Sequence, residues 1–195
     1  MYDEELLRIG GSEYRSWDPY RSKLAGAILK GQIPQDVISR GDKVLYLGAS
    51  TGTTASHVSD IVGGEGLVIG VEFSARVGRE FLEKVAKTRK NVIPFIADAR
   101  ETGTFAGFGR MDVVYCDIAQ KDQTDIAISN AKSHLKKEGR LLLIVKARSI
   151  DNLKDPGLVF KEEAQKLRDA GFTVERVIDL HPYDKDHALI SAKAQ

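Results

Sequence analysis

Val44-Leu45-Tyr46-Leu47-Gly48-Ala49-Ser50-Thr51-Gly52-Thr53-Thr54-Ala55-Ser56-His57-Val58 decides the fold. A mostly apolar run, Val44–Leu47, leads into a turn of small residues, which then opens into a helical pattern. The stretch reads as a buried strand, a tight loop and a helix N-terminus. Gly and Ser leave room for backbone N–H groups to approach a ligand, and Gly tolerates positive φ. The loop lacks the full G-x-G-x-x-G of dinucleotide sites, and no Gly-Lys-Ser/Thr follows as in a phosphate loop. The rest of the chain must therefore say what sits there.

Outward from this stretch, strands and helices alternate. The helix after the loop covers Thr53–Val62, and a second strand spans Leu67–Glu72. An amphipathic helix runs from Ala75 to about Thr88, followed by short strands at Val92–Ile96 and Met111–Cys116. Thr124–Lys136 reads as a helix ended by Lys137-Glu138-Gly139, Arg140–Lys146 as a strand, and Leu158–Ala170 as a helix stopped by Gly171. Phe172–Leu180 and Ala188–Ala192 are the last strands. The alternation predicts an α/β fold, Rossmann-like, with a mostly parallel seven-stranded sheet covered on both faces. The last strand follows its neighbour after a short loop, too short for a parallel crossover, so it must run antiparallel. Upstream, Leu6–Gly11 and Glu13–Trp17 suggest a hairpin, and Arg21–Gly31 a helix with Leu24, Ala27 and Ile28 on its apolar face. We divide the chain into a short β extension, 1–20, and a main domain, 21–195.

Composition narrows the classes. The chain has 195 residues, 42% hydrophobic and 29% charged, with a formal net charge of +1. A strongly basic nucleic-acid binder is excluded, so any such role needs a local patch or a partner. The single cysteine, Cys116, lies in an apolar strand and fits a reducing, cytoplasmic setting. Met1-Tyr2-Asp3-Glu4-Glu5 carries no leader pattern, and no apolar run is long enough for a membrane span. His57, His134 and His181 have no metal-ligand spacing with Cys116, and no metal is expected. A Gly-x-Ser-x-Gly elbow is absent, which argues against serine hydrolase chemistry.

In such a sheet, ligands bind beyond the carboxyl ends of the strands. Glu72 follows the glycine loop by about twenty residues, where a carboxylate can accept from a ribose diol. Phe73 can lie against a purine, and Asp98 can accept from an exocyclic amine beside the Ala99 backbone. This set describes an adenosine and fits NAD or S-adenosylmethionine, although acids at strand ends can also be merely solvated. The polar loop 49–54 with Asp117 and Gln120 suits an amino-acid moiety. A dinucleotide loop would instead want a third Gly where Thr54 stands.

The chain resembles the archaeal fibrillarins. The resemblance rests on Trp17-Asp18-Pro19-Tyr20-Arg21-Ser22-Lys23-Leu24, Leu45–Thr54, Val71-Glu72-Phe73-Ser74 and Ala97-Asp98-Ala99-Arg100. It continues through Val114–Gln120, Val145-Lys146-Ala147-Arg148-Ser149 and Tyr183-Asp184-Lys185-Asp186-His187. It implies a class I S-adenosylmethionine-dependent RNA 2′-O-methyltransferase acting in rRNA and tRNA processing. A Lys-Asp-Lys-His tetrad then falls on Lys23, Asp117, Lys146 and His187. Cofactor contacts fall on Gly48, Ser50, Thr53, Thr54, Glu72, Phe73, Asp98, Ala99, Asp117, Ile118, Ala119 and Gln120. The implied partners are box C/D guide RNA, target RNA, a Nop-family scaffold protein and, indirectly, a kink-turn-binding subunit similar to a ribosomal protein. The region before Trp17 is shorter than the family's N-terminal β-domain, and Lys121 stands where the family commonly has Pro.

Within that tetrad we expect Lys146 to accept the 2′-hydroxyl proton or orient the hydroxyl, since Lys23 would disfavour its charge while Asp117 favours it and fixes its position. The alternative is Asp117 as base with the lysines on phosphate. His187 completes the network or relays the proton. Arg21, Lys23, Lys121, Lys146, Arg148 and Lys154 are the cations expected near the RNA. Lys84, Lys87, Arg89 and Lys90 read as a solvated helix face. Rival readings are a stand-alone enzyme whose tetrad ends in Glu, which His187 opposes, and a non-catalytic adenosyl-binding scaffold, which the intact tetrad opposes.

Overall fold

The computed structural model describes residues 4–33 and 36–195. Met1-Tyr2-Asp3, part of the stretch read for a leader, lies outside them. A two-stranded hairpin of β1 (Leu6–Ile9) and β2 (Ser12–Arg15) precedes α1 (Lys23–Leu29). Then follow β3 (Lys43–Leu47), α2 (Thr53–Val62), β4 (Leu67–Glu72), α3 (Ala75–Lys84), β5 (Val92–Ile96) and β6 (Met111–Cys116). The second half is α4 (Gln123–His134), β7 (Leu135–Lys146), the one-turn α5 (Ala147–Ile150), α6 (Pro156–Asp169), β8 (Thr173–Asp179) and β9 (His187–Lys193).

The seven strands lie in the order β5-β4-β3-β6-β7-β9-β8. Only β9 runs against its neighbours, as the short connection before it requires. After β3 the chain moves outward through β4 and β5, then returns to place β6 on the other side of β3. The crevice where the strand order reverses is the expected ligand position.

Strand alternation divides the core into two layers. Val44, Tyr46, Val113, Tyr115, Leu142 and Ile144 face α1, α2 and α3. Leu45, Leu47, Val114, Cys116, Leu141 and Leu143 face α4 and α6. The same period carries Lys146 onto the α1 side, because it lies two residues beyond Ile144. His187 is opposite Lys146 in the antiparallel β7–β9 ladder and shares that face.

Several sequence expectations shift. The helix expected to Lys136 ends at His134, and β7 begins at Leu135 rather than Arg140. Leu135 takes an extended conformation and is buried, while the Arg110 guanidinium donates to the carbonyls of Ser133 and Leu135 at 3.1 and 3.2 Å. That arginine satisfies carbonyls orphaned at the helix end, which removes the need for a glycine stop there. A 3-10 segment, Thr102–Phe108, was invisible to helical periodicity; it plugs buried Phe105 beneath Phe95. Arg89 is no solvated helix cation: it pairs with Asp60 and donates to Ser59 Oγ at 3.1 Å. Lys84 and Lys87 do form solvent-side pairs with Glu80 and Glu83, at 3.1 and 2.6 Å.

The hairpin's apolar residues Leu6, Leu7, Ile9 and Tyr14 are exposed, and its attachment is polar. Arg15 bridges to Asp60 at 2.7 Å and Ser56 at 2.6 Å, and Trp17 stacks on His57 with centroids 4.7 Å apart. His57 therefore has partners that its sequence context did not reveal, as does His134, whose Nε2 lies 3.0 Å from the Thr102 carbonyl.

Candidate active site

At the carboxyl ends of β3, β4, β5 and β6 lies a cavity of about 380 Å³. Gly48, Ser50, Glu72, Phe73, Asp98, Ala99, Asp117, Ile118, Ala119, Gln120 and Lys146 line it. Nearly the whole predicted cofactor set is thus brought together. Thr53 and Thr54 are not part of this lining. Thr54 is buried and donates its hydroxyl hydrogen to Ser22 Oγ at 3.0 Å, so it props the N-cap of α1. A larger, more open hollow of about 640 Å³ lies elsewhere, among Arg110, Lys132, Lys136 and Phe172. Its lining contains no Asp or Glu side chain to receive a ribose diol.

The loop that opened the sequence reading is shaped by close approach. Gly48 has φ +80, and a Cβ there would lie 2.7 Å from the Asp117 carbonyl oxygen. Only glycine allows β3 and the β6–α4 loop to meet so closely. Ser50 also takes a left-handed conformation, φ 52, and its N–H donates to Glu72 Oε2 at 2.9 Å. Glu72 Oε1 accepts from the Ser74 N–H, also at 2.9 Å. Two backbone donors therefore fix the carboxylate and leave lone pairs for a diol. Phe73 beside it is 75% exposed, a large aromatic surface open at the lip of the cavity. Asp98 Oδ1 accepts from the Arg100 N–H at 2.9 Å. The Arg100 side chain reaches Asp122 with a fork of 2.9 and 3.1 Å and holds its carboxyl below the usual range. Arg100 lines the cavity as well and also lies 3.4 Å from Asp98, but its fork onto Asp122 joins it to another element, which sequence spacing does not show.

On the opposite lip the charged residues form a chain. Lys146 Nζ is 2.8 Å from Asp117 Oδ1 and donates to the Asp117 carbonyl at 3.0 Å. Lys23 Nζ is 3.3 Å from the other carboxylate oxygen. Lys23 also faces Asp184 at 3.7 Å, and Asp184 Oδ1 is 2.7 Å from His187 Nδ1. The four predicted tetrad residues therefore meet, with Asp184 as an unassigned fifth member between Lys23 and His187. Asp117, Lys146 and Lys23 are 14%, 17% and 21% exposed, shielded enough for their pairing to matter.

Local packing explains why distant residues converge. A Cβ on Gly26 would lie 3.2 Å from Tyr183, so α1 rests directly against the turn before β9. Lys23 is one helical turn earlier, and Asp184 is the residue after Tyr183. Lys30 Nζ donates to the His181 carbonyl at 2.6 Å and fixes the other end of the same helix. Buried Gln123 accepts from the Lys146 N–H at 3.0 Å and donates to the Gln120 carbonyl at 2.7 Å. It ties the end of β7 to the cavity loop, a role that only its burial could have signalled.

Burial pushes the Cys116 thiol up to about 12, so it serves as core and not as nucleophile. Two expected RNA-facing cations are engaged internally: Arg148 with Asp186 at 3.0 Å and Lys154 with Glu162 at 2.9 Å. Among the described residues there is no cluster of three or more His, Cys, Asp or Glu able to hold a metal. No described helix is long and apolar enough to cross a membrane.

The sequence pattern of the Fibrillarin family matches residues 1–195. The chain belongs to the fibrillarin family. It is 53% identical over 194 residues to a fibrillarin-like rRNA/tRNA 2′-O-methyltransferase of Saccharolobus solfataricus, covering 99% of this chain and 83% of that one. An Aeropyrum pernix fibrillarin crystallised with natively bound S-adenosyl-L-methionine is 44% identical with a TM-score of 0.87, covering 98% of this chain and 83% of that one. The fibrillarin of a solved fibrillarin/Nop5p complex is 42% identical with a TM-score of 0.86, covering 93% and 85%.

Proposed function

We propose that this chain is an S-adenosylmethionine-dependent RNA 2′-O-methyltransferase, the catalytic subunit of a box C/D guide ribonucleoprotein acting on rRNA and tRNA in the cytoplasm. One observation carries the reading: the Lys146–Asp117–Lys23 chain closes one lip of a cavity whose other lip holds Glu72, Phe73 and Asp98. The Aeropyrum relative's bound ligand supports the choice of S-adenosylmethionine over a dinucleotide.

The donor set fits this cofactor. Glu72 would accept from the ribose diol, Phe73 would cover the purine, and Asp98 would receive the exocyclic amine. Asp117 and Gln120 would take the amino-acid end. When bound, the cofactor supplies a methyl carbon activated by a sulfonium leaving group. The protein's work is then alignment and the handling of one proton. Lys146 has three N–H groups; one donates to the Asp117 carbonyl, and the contact with Asp117 Oδ1 is an ion pair, not a directed hydrogen bond. N–H groups are therefore left to hold the ribose 2′-oxygen, which favours Lys146 as the group that orients the hydroxyl. Asp117 fixes Lys146 and Lys23 at once.

A net charge of +1 gives little counterion release for autonomous RNA binding. Affinity and target choice would then come from a guide RNA and a Nop-family scaffold, with a kink-turn-binding subunit completing the particle. The Nop5p complex of a relative supports the scaffold. The test is methylation of a target RNA with labelled cofactor, with and without guide RNA and scaffold protein. Transfer should require both additions. Full activity on bare RNA by the chain alone would overturn the guided reading.

A further inference from the structure

Asp184 is the one charged member of the network to which sequence motifs assigned no role. Its carboxylate has a different neighbour on each side: Lys23 Nζ at 3.7 Å from Oδ2, and His187 Nδ1 at 2.7 Å from Oδ1. An ionised carboxylate can only accept, so the ring nitrogen that meets it must be the donor. His187 is thereby held with its hydrogen on Nδ1. Its Nε2 has no hydrogen-bond partner among the described residues, and 25% of the side chain is exposed. The β7–β9 register sets His187 beside Lys146 on one face of the sheet.

The turn is built to hold this arrangement. The Asp184 N–H donates to the Leu180 carbonyl at 3.1 Å, and the Leu180 N–H donates to the His187 carbonyl at 2.9 Å. Asp186, at φ 60, turns the chain back toward β9, while its carbonyl accepts from the Ala147 N–H at 3.1 Å. Asp184 therefore faces α1 and the network, and Asp186 faces Arg148.

We propose that Asp184 is a positioning residue that fixes the His187 tautomer, so that His187 Nε2 receives the proton released from the ribose 2′-hydroxyl. The inference rests on the methyltransferase reading above. The balance is complete: the 2′-oxygen bonds to the methyl carbon, the C–S bond breaks with its electron pair left on sulfur, and the hydroxyl proton moves to Nε2 and then to water. No further reactant is needed. Asp184 also stabilises the imidazolium that this step creates.

Asp184→Asn tests the tautomer without changing side-chain shape. Lys23 offers only donors, so it claims the amide oxygen and turns the NH₂ toward His187 Nδ1. That nitrogen must then accept, and the hydrogen moves to Nε2. Nitrogen-15 spectra of the histidine rings, recorded on the free chain with S-adenosylmethionine, should show Nδ1–H in the parent and Nε2–H in Asp184→Asn. In the reconstituted particle the turnover should fall about 10²-fold with the cofactor KM nearly unchanged, and Asp184→Glu should recover most of it. An unchanged tautomer, or a parent-like rate in Asp184→Asn, would overturn the inference. A particle inactive even with the parent chain would count against the methyltransferase reading instead, since the ring spectra need no RNA.

Discussion

The two lips of the cavity are built in opposite ways. The side proposed for the adenosine comes from one contiguous segment, residues 48–100, whose two carboxylates are held by backbone N–H groups near strand ends. Glu72, for example, is held by N–H groups of Ser50 and Ser74. The side proposed to handle the proton gathers Lys23, Asp117, Lys146, Asp184 and His187 from both ends and the middle of the chain. Among the described residues no backbone N–H holds these charges; apart from the Asp117 carbonyl on Lys146 they hold one another, and the docking of α1 against Tyr183 brings them into range. On the proposed roles, binding rests on one segment and chemistry on residues distant in the chain, so substitutions should separate the two.

The largest separation is expected at Asp117, which two lysines share. Asp117→Asn removes the charge between them and should lower the single-turnover methyl-transfer rate by about 10³-fold. Cofactor binding, followed by calorimetry, should weaken too, because Asp117 is also proposed to take the amino-acid end, but by less than the rate falls. The reverse pattern is expected for Glu72→Ala. Losing a charged acceptor for two hydroxyls costs about 2–3 kcal/mol, which reads as a cofactor dissociation constant raised roughly 10²-fold, with the rate at saturation largely kept. A parallel loss of rate and affinity in both variants would erase the comparison.

Acid provides a probe that joins the lips, because α2 serves both: its leading loop lines the cavity and its Thr54 supports α1. His57 on α2 is pushed down to about 4, mainly by burial and further by the Arg15 charge. The unfolded chain then binds a proton near the ordinary 6.5 that the folded chain refuses until about pH 4. Stability is full above pH 6.5 and declines as pH falls through that window, by up to about 3 kcal/mol. His134, also lowered by burial, adds in the same direction. Denaturant titrations from pH 7 to 4 should show this slope, and His57→Gln should flatten it. An unaltered slope in that variant would remove His57 as its source.

The smallest effect is expected at Gly26. A methyl group there meets Tyr183 at 3.2 Å, so α1 must shift by a few tenths of an ångström. Gly26→Ala should lower turnover several-fold by moving Lys23, an effect of about 1 kcal/mol, without changing cofactor affinity.

The same contrast explains what could be read from the sequence. The mostly parallel sheet and its antiparallel last strand follow from strand–helix alternation and one short loop. Glu72, Phe73 and Asp98 could be placed because strand ends announce themselves through the change from apolar to polar. Tetrad membership came from a family resemblance, since nothing in local spacing brings residue 23 to residue 187. Asp184, Arg100 and Gln123 escaped because their roles are pairings: each matters through a partner on another element. Thr54 was legible as a loop hydroxyl, but only packing shows that it turns away from the cavity toward Ser22.

The most direct test of the division between binding and chemistry is the single-turnover rate of Lys146→Ala in the assembled particle at saturating S-adenosylmethionine. The structure predicts a rate about 10²- to 10³-fold below that of the parent, with the cofactor held as before. Methyl transfer at the parent rate with the cofactor bound would contradict it.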